Sequence, residues 1–224
     1  MSISARIDSA TSIILTVATV IAVGLLAERR INPPSATSAG TRIEKIRTWR
    51  ETFDTVQTTL GETTGPIKIV VFTDFECPFC RKMDSILTSV EAKHPGRIAR
   101  SVIHYPIPGH TFARDAARAF ECVARQGRAA AMHHLLYEGQ AAFATLAWRS
   151  IAEKAGTANL LEFDRCVASG AVDSTIDRGI ALANTLRVNS TPTVVVDGWL
   201  LDPSFPDVVE RAVSAVLAGK TPKP

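Results

Sequence analysis

Two cysteines with two residues between them, Cys77 and Cys80 in the stretch FTDFECPFCRKM (72–83), are the residues in this chain best suited to chemistry. Sulfur at that spacing can hold a metal, close a small ring or exchange disulfides. A structural zinc site takes four ligands, commonly from two such pairs, and the remaining cysteines, Cys122 and Cys166, stand singly and far away. Residue 81 is arginine, so the Cys-x-x-Cys-His pattern of haem attachment is absent, and no metal or other cofactor is predicted. A ring closed over two residues gains little loop-closure stabilisation and is easily reduced, so the pair is a poor staple. Thiol–disulfide exchange is the chemistry that fits.

That chemistry needs one activated sulfur and a second placed to attack it, and the flanking residues predict both. IKIVVFTDF (67–75) is a continuous β-branched and aromatic run, read as a strand buried on both faces. From Pro78 the period changes to that of a helix, with Phe79, Met83, Ile86, Leu87 and Val90 placed on one face. Proline suits the first helical position, where its missing N–H would lack a partner anyway. Cys77 then sits at the helix N-terminus, where free N–H groups and the positive dipole end stabilise a thiolate. Cys80 lies one turn deeper, placed to resolve a mixed disulfide by attacking the Cys77 sulfur. A second strand in RIARSVIHYPIP (97–108) completes a βαβ unit.

Further along, VNSTPTVVVDG places Thr191-Pro192 at the start of a short strand, where proline cannot donate to a ladder. With this second signal the chain resembles the thioredoxin superfamily. The segments FTDFECPFCRKM, YPIPGHTFARDAARAFECVARQG, MHHLLYEGQ and the late STPT resemble the DsbA-like thiol–disulfide oxidoreductases over about residues 65–218. The resemblance implies an α/β thioredoxin fold interrupted by a helical domain: a core formed by 65–109 and 188–218, with 110–187 inserted. It implies Cys77 as nucleophile, Cys80 as resolving thiol, Pro78 and Phe79 at the start of the active-site helix, and Thr191-Pro192 as a cis-proline loop beside them. Some members carry an acidic residue six positions before the first cysteine; here that position is Val71, which leaves proton handling at Cys80 to Glu76, to water or to no dedicated group.

The resemblance also implies an oxidising compartment, where four cysteines pair, and Cys77–Cys80 with Cys122–Cys166 is the favoured set of three possibilities. His110 opens the inserted segment and is assigned a capping or packing role; His133 and His134 fall at a helix surface or core edge. Ala-rich helical patterns fill 110–187, a last amphipathic helix covers 204–218, and the spacing of Ile43, Ile46, Trp49, Phe53, Val56 and Leu60 predicts another over 42–60.

Residues 9–27 carry no charge, and as a helix they rise about 28 Å, close to the ~30 Å hydrocarbon core of a bilayer. They are expected to form a transmembrane anchor behind a short tail (1–8), with a cleaved signal ending near residue 24 as the alternative. Residues 28–64 are a linker, rich in Pro, Ser and Thr over 31–41, followed by the amphipathic segment. Arg29 and Arg30 against Arg6 weakly favour a cytoplasmic C-terminal domain by charge, but the cysteines place it on the periplasmic side. The 224 residues carry a formal charge of only +3, which excludes an electrostatic nucleic-acid binder.

The expected function is an extracytoplasmic, monomeric oxidase that introduces disulfides into reduced exported polypeptides and is reset by a membrane redox partner. A reductase or isomerase of the same compartment, and a tethered chaperone or metal-delivery module, are the alternatives.

Overall fold

A computed structural model describes residues 42–61, 64–202 and 204–223. The apolar segment 9–27 and most of the linker lie outside these described residues. Among the described residues no helix is long and apolar enough to cross a membrane.

The centre of the fold is the βαβ unit that the hydrophobic pattern predicts. Strand β3 (Ile67–Thr73) lies parallel to β4 (Ile98–His104), from Ile67 opposite Ile98 to Thr73 opposite His104, with helix α2 (Pro78–Lys93) between them in sequence. β3 is covered on both faces, which explains its apolar run from Ile69 to Phe72. Ile69 and Val71 face Met83, Leu87 and Val90 of α2 and Val209 and Val213 of helix α8 (Pro206–Leu217). Val70 and Phe72 face the opposite layer, with Trp49, Phe53 and Ala183, as the two-residue alternation of a strand requires.

Four further strands, β1 (Arg42–Lys45), β2 (Thr58–Leu60), β5 (Thr193–Val196) and β6 (Trp199–Asp202), complete a six-stranded mixed sheet in the order β1-β6-β5-β3-β4-β2. β5 (Thr193–Val196) runs antiparallel to β3, and β6 (Trp199–Asp202) antiparallel to β5. β6 is not anticipated by the sequence reading. It forms because Asp197 and Gly198 both take positive φ (45° and 84°), the two-residue turn that Asp-Gly favours, and bring Trp199 opposite Val196. A Cβ on Gly198 would come within 2.2 Å of the Trp49 ring, so the turn also needs glycine for space.

The helix predicted over 42–60 is corrected to three elements: strand β1 (Arg42–Lys45), helix α1 (Trp49–Asp54) and strand β2 (Thr58–Leu60). The apolar spacing was real only across one and a half turns, where Trp49 and Phe53 are buried. The flanking residues are recruited by the sheet edges, β1 by β6 and β2 by β4, and the β-branched Thr58 and Thr59 suit the pleated edge.

Between β4 and β5 run five helices: α3 (Ala113–Ala124), α4 (Ala129–Glu138), α5 (Trp148–Lys154), α6 (Leu160–Ser169) and α7 (Asp173–Thr185). They enclose an apolar cluster of Phe120, Met132, Leu136, Phe143, Ile151 and Phe163 that extends to Phe75, Cys77 and Cys80. A disulfide joins Cys122 of α3 to Cys166 of α6, with Cα atoms 5.8 Å apart. Arg118 binds Asp173 through two nitrogens, at 2.8 and 2.9 Å, and so ties α3 to the start of α7.

Candidate active site

Strand β3 delivers the chain to a three-residue corner, Asp74 to Glu76, and the corner delivers Cys77 to the start of α2. Cys77 is the N-cap, in extended conformation (φ −75°, ψ 119°), and Pro78 occupies the first turn. Its carbonyl accepts from the N–H of Cys80 (3.1 Å) and of Arg81 (3.3 Å), so the helix hydrogen bonding begins at the cysteine itself. Both thiols are free and buried.

The loop before β5 closes over the first sulfur. Cys77 Sγ donates to the carbonyl of Thr191 at 3.5 Å, 114 positions away in sequence. The Thr191–Pro192 peptide is cis. Cys77, Pro78, Cys80, Thr191 and Pro192 therefore meet at one place. Phe79 does not share the buried helix face assigned to it: it is 69% exposed and stands beside the sulfur as an apolar surface. It lies in the first turn of α2, four residues before the buried stripe of Met83, Leu87 and Val90 begins.

The two sulfurs differ sharply in acidity. Cys77 is lowered from 9.0 to about 6, chiefly by hydrogen bonding from the Cys80 thiol; burial opposes this, and the Thr191 side chain and the N–H groups of Cys80 and Phe79 add to it. The Thr191 hydroxyl is buried with no hydrogen-bond partner around the neutral thiol, so a charged sulfur gives it an acceptor. Burial pushes Cys80 well above 9.0, and the neighbouring Cys77 raises it further.

Residues outside the cysteine pair fix this corner. Asp74, its side chain fully buried, accepts from the N–H of Glu76 (2.8 Å), the N–H of Ile107 (2.9 Å) and Nδ1 of His110 (2.8 Å). Burial works against a charged His110, but the Asp74 carboxylate outweighs it and raises the imidazole above its ordinary value. Glu76 accepts from the N–H of Phe112 at 2.6 Å. It braces the approach to α3, and no bond joins it to either sulfur. Gln140 donates to the carbonyls of Phe75 (2.7 Å) and Cys77 (3.0 Å), clamping the corner from the helical side.

Asp74 lies inside the FTDFECPFCRKM stretch, but its role emerges only where Ile107 and His110 fold back onto it. His110 was assigned to packing, and Gln140 carries no sequence signal at all. Among the described residues no group of three or more His, Cys, Asp or Glu side chains could hold a metal ion.

A mixed sheet with helices on both faces, a paired thiol at a helix start and a cis-proline beside it define a thioredoxin-type protein. A family model described as Thioredoxin matches residues 54–215, and the chain belongs to that family. Over 221 residues it is 25% identical to the probable disulfide bond formation protein D of Bacillus cereus, covering 93% of this chain and 96% of that protein. It is also 32% identical over 143 residues to Na+/H+ antiporter NhaA 1 of Mycolicibacterium gilvum, covering 62% of this chain but only 23% of the antiporter's length. The fold is shared with BdbD from Bacillus subtilis in its oxidised form, at TM-score 0.62 and 19% identity, over 76% of this chain and 93% of that one.

Proposed function

We propose that this protein is an extracytoplasmic thiol–disulfide oxidoreductase of the DsbA type, working as an oxidase on reduced exported polypeptides. The observation that carries the proposal is the placement of Cys77 at the cap of α2, against the Thr191 carbonyl, with Cys80 buried one turn below. The full-length similarity to a probable disulfide bond formation protein supports it, and so does the Cys122–Cys166 bridge, which suits an oxidising compartment.

In the oxidising direction a substrate thiolate attacks Cys77 Sγ of the Cys77–Cys80 disulfide. A new sulfur–sulfur bond forms, the old one breaks, and Cys80 leaves with the electron pair and takes up a proton. A second substrate thiolate then attacks the substrate sulfur of the mixed disulfide and expels Cys77 as a thiolate. The substrate loses two electrons and the cysteine pair gains them, so no cofactor is needed. A membrane redox partner then restores the disulfide.

Direction follows from acidity. With Cys77 at about 6, roughly ten thiolates stand for each thiol at pH 7, which stabilises the reduced form by about 1.4 kcal/mol, or ~30 mV of oxidising power. Residues 9–27 would hold the domain at the outer face of the cytoplasmic membrane as a single-pass anchor. Ion exchange, named for the antiporter relatives, is not carried over to this chain.

The test is the reduction potential of the Cys77–Cys80 pair together with oxidation of a reduced, unfolded secretory protein by stoichiometric enzyme. A potential well above that of the cytosolic glutathione pool, with rapid oxidation lost in Cys77→Ala, is the expected result. A potential near −270 mV, the order found for thioredoxin, would assign it to the reductase class instead.

A further inference from the structure

Cys80 must gain a proton when it leaves and lose one when it attacks, yet it is buried beneath the active-site surface. The acids nearest the motif are occupied. Asp74 is saturated by three donors, and Glu76 is bound to the N–H of Phe112. Glu121 accepts from Thr58 at 2.6 Å and pairs with His104 at 2.8 Å.

A different acid faces Cys80. A cavity of about 10 Å³ is lined by Cys80, Thr73, Asp84, Arg100, His133 and Tyr137, and it matches the space one water molecule's centre needs. Val71 lines it too and brings no titratable group. Asp84 follows Cys80 by four residues in α2, so carboxyl and thiol share one helix face. Asp84, Arg100 and His133 also line a second cavity of about 400 Å³ whose walls include Glu91, His94 and His134. They form the wall common to both. His134 on that wall is 77% exposed at its side chain, so the larger cavity reaches solvent.

We propose that Asp84 exchanges the proton of Cys80 through one water held in the small cavity, and that the larger cavity connects Asp84 to solvent. The inference rests on the assignment of Cys80 as the resolving thiol. In the oxidising direction the departing Cys80 thiolate takes a proton from that water, the water takes one from the Asp84 carboxyl, and Arg100 holds the carboxylate left behind. In the reverse direction Asp84 is the base.

The surroundings of Asp84 suit both roles. From β4, Arg100 Nη1 donates to it at 2.7 Å, while Arg100 Nε lies 2.9 Å from Glu91 of α2. From α4, His133 Nδ1 lies 3.6 Å away, and His134 acts at longer range. Burial raises the Asp84 carboxyl above its usual range and Arg100 opposes this, so the proton is held more firmly than on a surface aspartate but is still released. Burial keeps His133 neutral, so it does not compete as an acid. Tyr137, its hydroxyl 2.5 Å from Thr73 Oγ1, stays neutral by burial and can orient the water.

The experiment mixes full-length reduced protein with oxidised glutathione and follows two steps in rapid mixing. Attack by Cys77 is isolated in Cys80→Ser, which traps the mixed disulfide, and closure of Cys77–Cys80 is read in the intact pair. Asp84→Asn should leave the first step unchanged and slow the second on the order of 100-fold near pH 7, the size of a lost general base. It should also abolish the acid-range limb of the second rate, leaving only the rise towards the Cys80 midpoint, and Asp84→Glu should restore that limb. If Asp84→Asn fails to fold, wild-type protein decides: a second step with no acid-range limb, rising only towards the Cys80 midpoint, overturns the relay. Equal second-step profiles for Asp84→Asn and wild type overturn it as well. Absence of any trapped mixed disulfide in Cys80→Ser would instead overturn the active-site assignment.

Discussion

Two sulfurs with two residues between them acquire opposite chemistry because one sits at a helix boundary and the other inside the helix packing. The first collects donors from Cys80, Thr191 and the opening turn of α2; the second collects mainly the cost of burial. Two expectations follow at this scale. Thiolate absorbance of Cys77 in the reduced protein should titrate near pH 6, and Cys80→Ala, which deletes the largest stabilising donor, should move the midpoint up by a unit or more, about 1.4 kcal/mol per unit. An unmoved midpoint would show that the helix start alone sets the acidity. Thr191→Val keeps shape but deletes the hydroxyl while leaving the carbonyl that accepts from Cys77, so it should raise the midpoint by less than Cys80→Ala. Pairing of Cys77 with Thr191-Pro192 was legible only through the family resemblance, which places a proline loop beside the cysteines; proline at a strand start signals no more than a special loop or edge. The groups that hold the corner were not, since Gln140 and His110 become meaningful only when distant segments meet.

At the level of elements, the sequence pattern was most reliable where one period ran uninterrupted. β3, α2 and β4 were readable because each buries a full face: six apolar or β-branched residues among the seven of β3, then a stripe repeating every three or four. The segment 42–60 misled for a physical reason. Its apolar spacing is helical, but strand pairing with β6 and β4 outweighs six residues of marginal helix. β6 was hidden because its strand length is four residues and its specification lies in the Asp197-Gly198 turn. The helices between β4 and β5 are joined by a bridge spanning 44 positions, Cys122 to Cys166. Replacing both cysteines by alanine restores that loop's freedom to the unfolded chain, a loss of about 4 kcal/mol in the chain-entropy model. Urea unfolding should show the loss, while disulfide exchange at Cys77 stays within the normal range because neither residue touches the site. A double variant as stable as wild type would mean that the bridge constrains little that the apolar cluster does not already hold.

Across the whole molecule, acidity at one sulfur becomes a property of folding. The Cys77 midpoint is about 6 in the folded reduced protein against 9.0 for an unperturbed thiol, so the folded state binds fewer protons between those values and gains stability as pH rises. The sign follows that of a depressed carboxylate: the contribution is complete above the unfolded value of 9.0 and is lost as pH falls through about 6. Its full size is about 4 kcal/mol, of which ~1.4 is present at pH 7. Cys80, pushed the other way, is protonated in both states through most of this window and subtracts stability only as pH rises past 9.0, where the unfolded thiol ionises. Reduced wild type and Cys77→Ala should therefore diverge in urea unfolding free energy from about pH 6 upward, with the wild type pulling ahead. Oxidised protein has no thiolate to stabilise and should follow the alanine variant in its pH slope. The same divergence is the force that drives disulfides outward to substrate, since the molecule folds more tightly once it has given its own away. Parallel stability profiles for reduced wild type and Cys77→Ala would break that connection, leaving the acidity of Cys77 without a role in either folding or direction.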